Sequence, residues 1–158
     1  MHYFRQKIKY PTENQLKIWE LKRNQFKQKE IADKRKVTIG FVSRSLSEAN
    51  RRIEDLLQSV ANGNKISLNA LNGELGYARG KSHMFDVMAY ITFSPKNGVQ
   101  VWYEDKGDCV SCEKYSYCRE VIQQEFKERN IKLESQSLQP TLLIERLIIE
   151  IEKRLEEE

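Results

Sequence analysis

The stretch QKEIADKRKVTIGFVSRSL, residues 28–46, decides the N-terminal half of the fold. It begins with residues typical of a short helix, and Thr38 then precedes a run with helical periodicity. Upstream, Thr12 and Gln15 stand at the spacing of a capping box, which predicts an earlier helix. Two helices, a tight turn and a polar, basic third helix form a helix-turn-helix. The sequence therefore predicts a three-helix unit over residues 12–50.

The apolar residues of this unit recur at helical spacing and predict its core. On the third helix they continue past Asn50, so this helix is expected to be long. We assign them packing and no chemistry. The set is Ile18, Trp19, Leu21, Phe26, Ile31, Ala32, Val37, Val42, Leu46, Ala49 and Ile53.

The remaining side of the third helix predicts a surface for double-stranded DNA. The Arg44 guanidinium can bridge the O6 and N7 acceptors of guanine, so we expect it to contact a base. Serine and threonine serve bases or phosphates, and the lysines position the unit on the phosphate backbone. The predicted DNA-binding residues are Lys27, Lys29, Lys36, Thr38, Gly40, Phe41, Ser43, Arg44, Ser45, Ser47 and Arg51.

Residues 12–46 resemble the helix-turn-helix of LuxR-type regulators and of sigma-factor region four, particularly in Tfx-like archaeal transcriptional regulators. The resemblance implies specific DNA binding. Gln25 and Lys36 depart from it, because these families place a turn glycine at both positions. The matching positions are Thr12, Gln15, Ile18, Trp19, Leu21, Phe26, Gln28, Lys29, Glu30, Ile31, Ala32, Val37, Thr38, Val42, Ser43 and Arg44.

Charge divides the chain into two halves. Residues 1–65 hold 15 lysines and arginines against 7 acidic residues, whereas residues 66–158 hold 12 against 16. The net charges of +8 and −4 add to the +4 of the whole chain. A basic half joined to an acidic half is typical of a nucleic-acid reader attached to a sensing or protein-contact module. We expect DNA binding to weaken strongly with salt.

Long apolar runs are missing from the sequence. No run approaches the roughly 18 residues needed to span a bilayer, and the start lacks the apolar core of a signal peptide. These features predict a cytoplasmic protein with no membrane partner.

After residues 62–64 the periodicity changes from helical to alternating. Asn72-Gly73 and Asn97-Gly98 are turn dipeptides of β-hairpins and favour a small antiparallel sheet of about four strands. Residues 75–79 fit either a strand or the end of a short helix. The predicted class is α+β, with an N-terminal helix-turn-helix bundle, a long connecting helix and a small sheet with C-terminal helices. The predicted domains are 1–62, which binds DNA, and 63–158, which senses and dimerises.

Three cysteines, Cys109, Cys112 and Cys118, follow the sheet. Two thiolates two residues apart can hold one metal, and Cys118 is expected to begin a helix over residues 119–129, whose positive end favours a thiolate. The spacing resembles the last three ligands of iron–sulfur regulators of the WhiB type, which implies an iron–sulfur cluster that senses redox state. The fourth ligand is open between His83, Asp108 and a ligand from outside the chain.

Two other interpretations of the cysteines remain open. Three cysteines and His83 suit a structural zinc ion. A local disulfide with one spare thiol needs no metal.

The last helix predicts an association surface. Its apolar stripe comprises Ile144, Leu147, Ile148, Ile151 and Leu155. Because helix-turn-helix proteins commonly dimerise, the stripe favours a homodimer contact, with packing onto the protein's own sheet as an equal alternative.

The sequence predicts a sequence-specific DNA-binding transcriptional regulator with a redox- or metal-sensing C-terminal half. The alternative is a sigma-like adaptor that acts through contacts with the transcription machinery and carries a structural zinc. An enzyme is not expected, since no motif unites a nucleophile, a base and an orienting group.

Overall fold

The computed structural model describes residues 8–105, 107–133 and 138–157, so both predicted domains include residues outside this description. The described chain forms three helices, four strands and two further helices, which confirms the predicted α+β class. The helices are α1 (Glu13–Arg23), α2 (Gln28–Arg35), α3 (Ile39–Gly63), α4 (Tyr115–Glu128) and α5 (Pro140–Glu156). The strands are β1 (Ile66–Asn72), β2 (Tyr77–Ser82), β3 (Met88–Ser94) and β4 (Gly98–Tyr103). No described helix is long and apolar enough to span a membrane.

The sheet is an antiparallel meander in the order β1-β2-β3-β4. The predicted two-residue turn at Asn72-Gly73 is wrong, because Asn72 pairs with Tyr77 and leaves a four-residue loop, residues 73–76. Gly76, rather than Gly73, has the positive φ that the turn requires. We call residues 73–76 the buried turn, since Gly73, Leu75 and Gly76 are all buried.

Helices cover both faces of the sheet. On one face the three N-terminal helices and the sheet share one hydrophobic cluster, which unites Trp19 and Ile53 with Ile91 and Phe93. On the other face α4 and α5 pack over Tyr77, with Tyr90 and Trp102 at the edge of a second cluster. The N-terminal unit therefore packs continuously onto the sheet.

The apolar stripe of α3 is buried as predicted. Val42, Leu46, Ala49 and Ile53 are each at most 5% exposed. Further along the helix Leu57 and Ala61 continue the same face against the sheet, and both belong to the first cluster. One face of α3 thus packs against α1 and α2 at its start and against the sheet further along.

The stripe of α5 packs inside its own chain. Leu147, Ile148 and Ile151 are buried in the second cluster, and Ile144 and Leu155 pack against it. Of the two equal alternatives for this stripe, packing inside its own chain is confirmed and the homodimer contact is wrong, because α4 and the protein's own sheet cover it.

Side chains from two helices satisfy the carbonyls of the buried turn. From α1, Trp19 Nε1 donates to Gly73 O at 2.9 Å. From the end of α4, Arg129 Nη1 donates to Leu75 O at 2.7 Å and Nη2 donates to Gly76 O at 3.2 Å. Gly73 O and Gly76 O also accept backbone bonds, from Gly76 N and Phe93 N, whereas the bond from Arg129 removes the cost of burying Leu75 O away from water.

Two buried arginines stand beside this turn in different states. Arg129 forms an ion pair with Glu125 at 2.9 Å, and both side chains are almost fully buried. Arg23 donates only to Phe93 O, while its Nε and Nη2 have no hydrogen-bond partner. Burial, together with the nearby charge of Arg129, lowers the pKa of Arg23 to about 9.

Replacing Arg129 with Met should cost far more stability than replacing Arg23 with Met. Arg129→Met leaves the Glu125 charge and the Leu75 carbonyl buried without a partner, which typically costs about 3–5 kcal/mol. Arg23→Met removes one hydrogen bond, to Phe93 O, and an ion pair with Glu128 that is long at 3.8 Å, so its loss should be smaller, about 1–2 kcal/mol. Urea unfolding of both variants measures the difference. Equal losses of unfolding free energy in the two variants would contradict the conclusion that Arg129 contributes more to stability than Arg23.

Gly73→Ala should destabilise the fold by about 1–3 kcal/mol, as overpacking does. A Cβ at Gly73 would lie 2.4 Å from Asn50 O, so α3 and the buried turn would have to separate. Gly63→Ala is the matched control, because nothing lies within 4 Å of its added Cβ. A Gly73→Ala variant with the unfolding midpoint of the wild type would show that the two backbones can move apart freely.

Candidate nucleic-acid interface

Polar caps fix where the first two helices begin. Thr12 and Gln15 form the predicted capping box, with Gln15 N donating to Thr12 Oγ1 at 3.2 Å and Thr12 N donating to Gln15 Oε1 at 3.0 Å. At α2, Lys27 N donates to Glu30 Oε2 at 2.7 Å. These bonds use amide hydrogens that the helices cannot satisfy internally.

Both turns of the unit use left-handed backbone without glycine. Gln25 has φ 70° and Lys36 has φ 56°. After each residue the chain closes a Schellman motif, in which Phe26 N donates to Leu21 O and Val37 N donates to Ala32 O. The departures from the family pattern therefore leave the turn geometry intact and place strain on two ordinary side chains.

The third helix presents most of its predicted surface to solvent. Thr38 is the N-cap, and its hydroxyl oxygen accepts from Phe41 N at 3.1 Å. The Arg44 guanidinium lies back along the helix over Gly40, where an added Cβ would meet Nη1 at 3.4 Å. The exposed members of the predicted set on this helix and its cap are Thr38, Gly40, Phe41, Ser43, Arg44, Ser47 and Arg51.

Ser45 was wrongly assigned to this surface. It is 9% exposed and lies among the buried residues of α3, between Val42 and Ala49 on the apolar stripe. Its spacing of three and four from those residues signals the burial, although its polarity suggested the opposite.

Ile39 is an exposed residue that sequence reasoning missed. It is the first residue of α3 and is 51% exposed, and Phe41 beside it is 41% exposed. Apolar side chains at the tip of a recognition helix can contact the thymine methyl group in the major groove. The signal was its place directly after the Thr38 cap, ahead of the first buried position.

Four of the predicted cations are exposed and unpaired within the described part of the chain. Lys27, Lys29 and Lys36 stand around the start of α2 and the turn into α3. The fourth cation is Arg44 on α3. None of the four forms an ion pair with a described carboxylate. Their charges are therefore free to meet phosphates.

Arg51 is in a different state from those cations. It pairs with Glu48 at 2.7 Å and with Asp55 at 3.0 Å. Hydrogen bonds from Arg51 and Arg52 lower the pKa of Glu48 to about 2, so the carboxylate stays charged at neutral pH. A phosphate at Arg51 would have to compete with these carboxylates.

The cysteines stand in and before α4, and all three are free thiols. Helix α4 begins at Tyr115, so the prediction that Cys118 begins the helix is wrong. The amide of Cys118 already donates to Lys114 O, and burial together with the other two cysteines raises the pKa of its thiol. The expected stabilisation of a thiolate at the helix tip is therefore absent.

The candidate fourth ligands are occupied by other bonds. His83 Nε2 is hydrogen-bonded with Ser67 Oγ at 2.6 Å. Asp108 accepts from Ser111 Oγ and from Val110 N, which closes a local turn. No three His, Cys, Asp or Glu side chains of the described ranges come together in a group that could hold a metal ion. The present arrangement does not fit a preformed cluster or zinc site, and these cofactors remain predictions.

Comparison with known proteins finds no matching family model, no similar curated protein and no similar solved structure. The likeness to Tfx-like and related regulators thus stays an expectation based on residues 12–46.

Glycine at either left-handed turn position should stabilise the fold. Gln25→Gly and Lys36→Gly each relieve the clash of Cβ at positive φ, for a net gain of about 0.5–1 kcal/mol after the added freedom of the unfolded chain. Ser59→Gly, at an exposed position inside α3, is the control and should lose about 0.5 kcal/mol. Thermal unfolding of the three variants tests the prediction. A loss at both turns would mean that the side chains there contribute more than the strain costs.

Proposed function

We propose that this protein is a sequence-specific transcriptional regulator that reads double-stranded DNA with α3. One observation carries the proposal. A capped helix with Arg44, Ser43 and Ser47 on its exposed side follows a tight left-handed turn, with unpaired lysines beside it. A helix in this setting fits the width of the major groove.

The residues divide into two roles in this proposal. Arg44 donates to a guanine edge, and Ile39 and Phe41 lie where apolar contact with a thymine methyl is available. Lys29 and Lys36 meet phosphates and set the position of α3 on the duplex. The start of α3 adds the positive end of a 25-residue helix, which favours a nearby phosphate.

The proposed assembly is a homodimer on DNA, which would place two readers on successive major grooves. Its contact must use a surface other than the α5 stripe, since that stripe is buried in the monomer. The proposal includes no step at the cysteines. The sigma-like adaptor is the competing function, and it predicts weak binding to DNA in the absence of transcription machinery.

Arg44→Ala should weaken binding to a preferred site by about 1–3 kcal/mol and relax the preference at one base pair. Selection from random duplexes with the full chain supplies the site, and fluorescence anisotropy supplies the affinities. Arg146→Ala is the matched control, because Arg146 is an exposed arginine of α5 outside the reader.

Lys29→Ala should weaken binding to all duplexes by the same factor, because Lys29 is proposed to contact a phosphate and no base. It should also reduce the slope of log affinity against log salt concentration by about 1.

Two results would overturn the proposal. One is the absence of binding to any duplex at low salt. The other is an equal loss of affinity in Arg44→Ala and Arg146→Ala, which would mean that binding depends on positive charge at any position of the surface.

A further inference from the structure

A groove of about 530 Å³ opens between the sheet and α5, on the face away from α3. Tyr90 and Trp102, paired across β3 and β4, line its sheet side. Ile144, Ile148 and Ile149 line the helix side. The volume lies in the range of small-molecule sites, and aromatic and aliphatic walls of this kind hold the carbon skeleton of a ligand.

Carboxylates surround this apolar groove. Glu104 and Asp105 follow β4, and Glu145 and Glu152 project from α5. Glu104, Asp105 and Glu145 form no ion pair with a described cation. No lysine or arginine of the described ranges lines the groove. The groove is therefore electrostatically complementary to a cation.

Neighbouring groups define how much of this charge is available. Glu152 is partly neutralised, because Arg79 pairs with it at 2.8 Å and Tyr77 donates its hydroxyl to it at 2.6 Å. Burial and the charges of Glu104, Glu152 and Glu145 raise the pKa of Tyr90, and the charge of Arg79 opposes this shift.

The spacing of the acids favours a ligand with more than one positive charge. Glu145 and Glu152 are seven residues apart on α5, so they stand about 10 Å apart along the helix axis. An extended aliphatic chain can lie on Tyr90 and Trp102 while its ammonium groups meet carboxylates at the two ends. Aromatic faces add attraction for such cations.

We propose that the groove binds an aliphatic polyamine. Its alkyl chain packs on Tyr90, Trp102 and Ile144, and its ammonium groups meet Glu145, Glu152 and the carboxylates after β4. This site does not depend on DNA binding. Cys109 lies beside the groove, since its Sγ is 3.8 Å from Oγ1 of Thr141, one of the lining residues.

Calorimetry with spermidine and the full chain, without DNA, tests the proposal. We expect one site per chain, and Glu145→Gln should weaken it about 3- to 5-fold, the effect of one exposed ion pair. Glu150→Gln is the matched control, because this substitution removes the same charge from α5. Glu150 pairs with Lys153 and does not line the groove. Its spermidine affinity should equal that of the wild type.

Other results would overturn the proposal. Equal weakening in both variants, or equally tight binding of Mg²⁺, would indicate general charge attraction. A lysine-rich peptide that binds more tightly than spermidine, with the same dependence on Glu145, would assign the groove to a protein partner. Self-association abolished by Ile149→Lys, at an exposed residue of the groove, would assign it to a second copy of the chain.

Discussion

The carbonyl groups of the buried turn need hydrogen-bond donors away from water, and this need organises the centre of the molecule. Trp19 comes to the turn from α1 and Arg129 from the end of α4, so the two helices on opposite sides of the sheet meet the same four residues. Gly73 adds a steric demand, because its backbone lies against α3 at Asn50. The buried turn therefore fixes both helical layers relative to the sheet.

This arrangement joins the three N-terminal helices and the C-terminal helices into one packed unit. The Trp19 ring contacts Phe93 on β3 and lies 4.3 Å from the Arg23 guanidinium, which in turn approaches Glu128 of α4. A displacement of α4 would disturb the surroundings of α1 within a few side-chain contacts. Arg23 thus links α1 to β3 and α4 through its bond to Phe93 O, its contact with Trp19 and its approach to Glu128.

Periodicity predicted the elements whose neighbours lie close in sequence, and it was less informative where burial depends on distant partners. The stripe of α3 followed from spacing alone, and the four-stranded sheet followed from alternation together with the Asn-Gly dipeptides, although the turn at Asn72-Gly73 was wrong in detail. Ser45 was misplaced because its polarity outweighed its spacing, and the α5 stripe because a buried helix face looks the same whether its partner is its own sheet or a second chain. The sequence around Arg129 did not indicate its role, since its guanidinium donates to a backbone carbonyl, Leu75 O, that is 54 residues away in the chain.

The charge division of the sequence also has a spatial meaning that net counts do not give. Some cations of the basic half are not available to a ligand, because Arg23 is buried and Arg51 and Arg52 are paired with Glu48. Among the described cations, the unpaired Lys27, Lys29, Lys36 and Arg44 lie at α2 and the tip of α3, whereas the unpaired carboxylates Glu104, Asp105 and Glu145 line the groove beside α5. Like charges repel, so DNA phosphates are disfavoured at the groove and polyamines at the reader. The two proposed ligands can then occupy the same chain without competing for one surface.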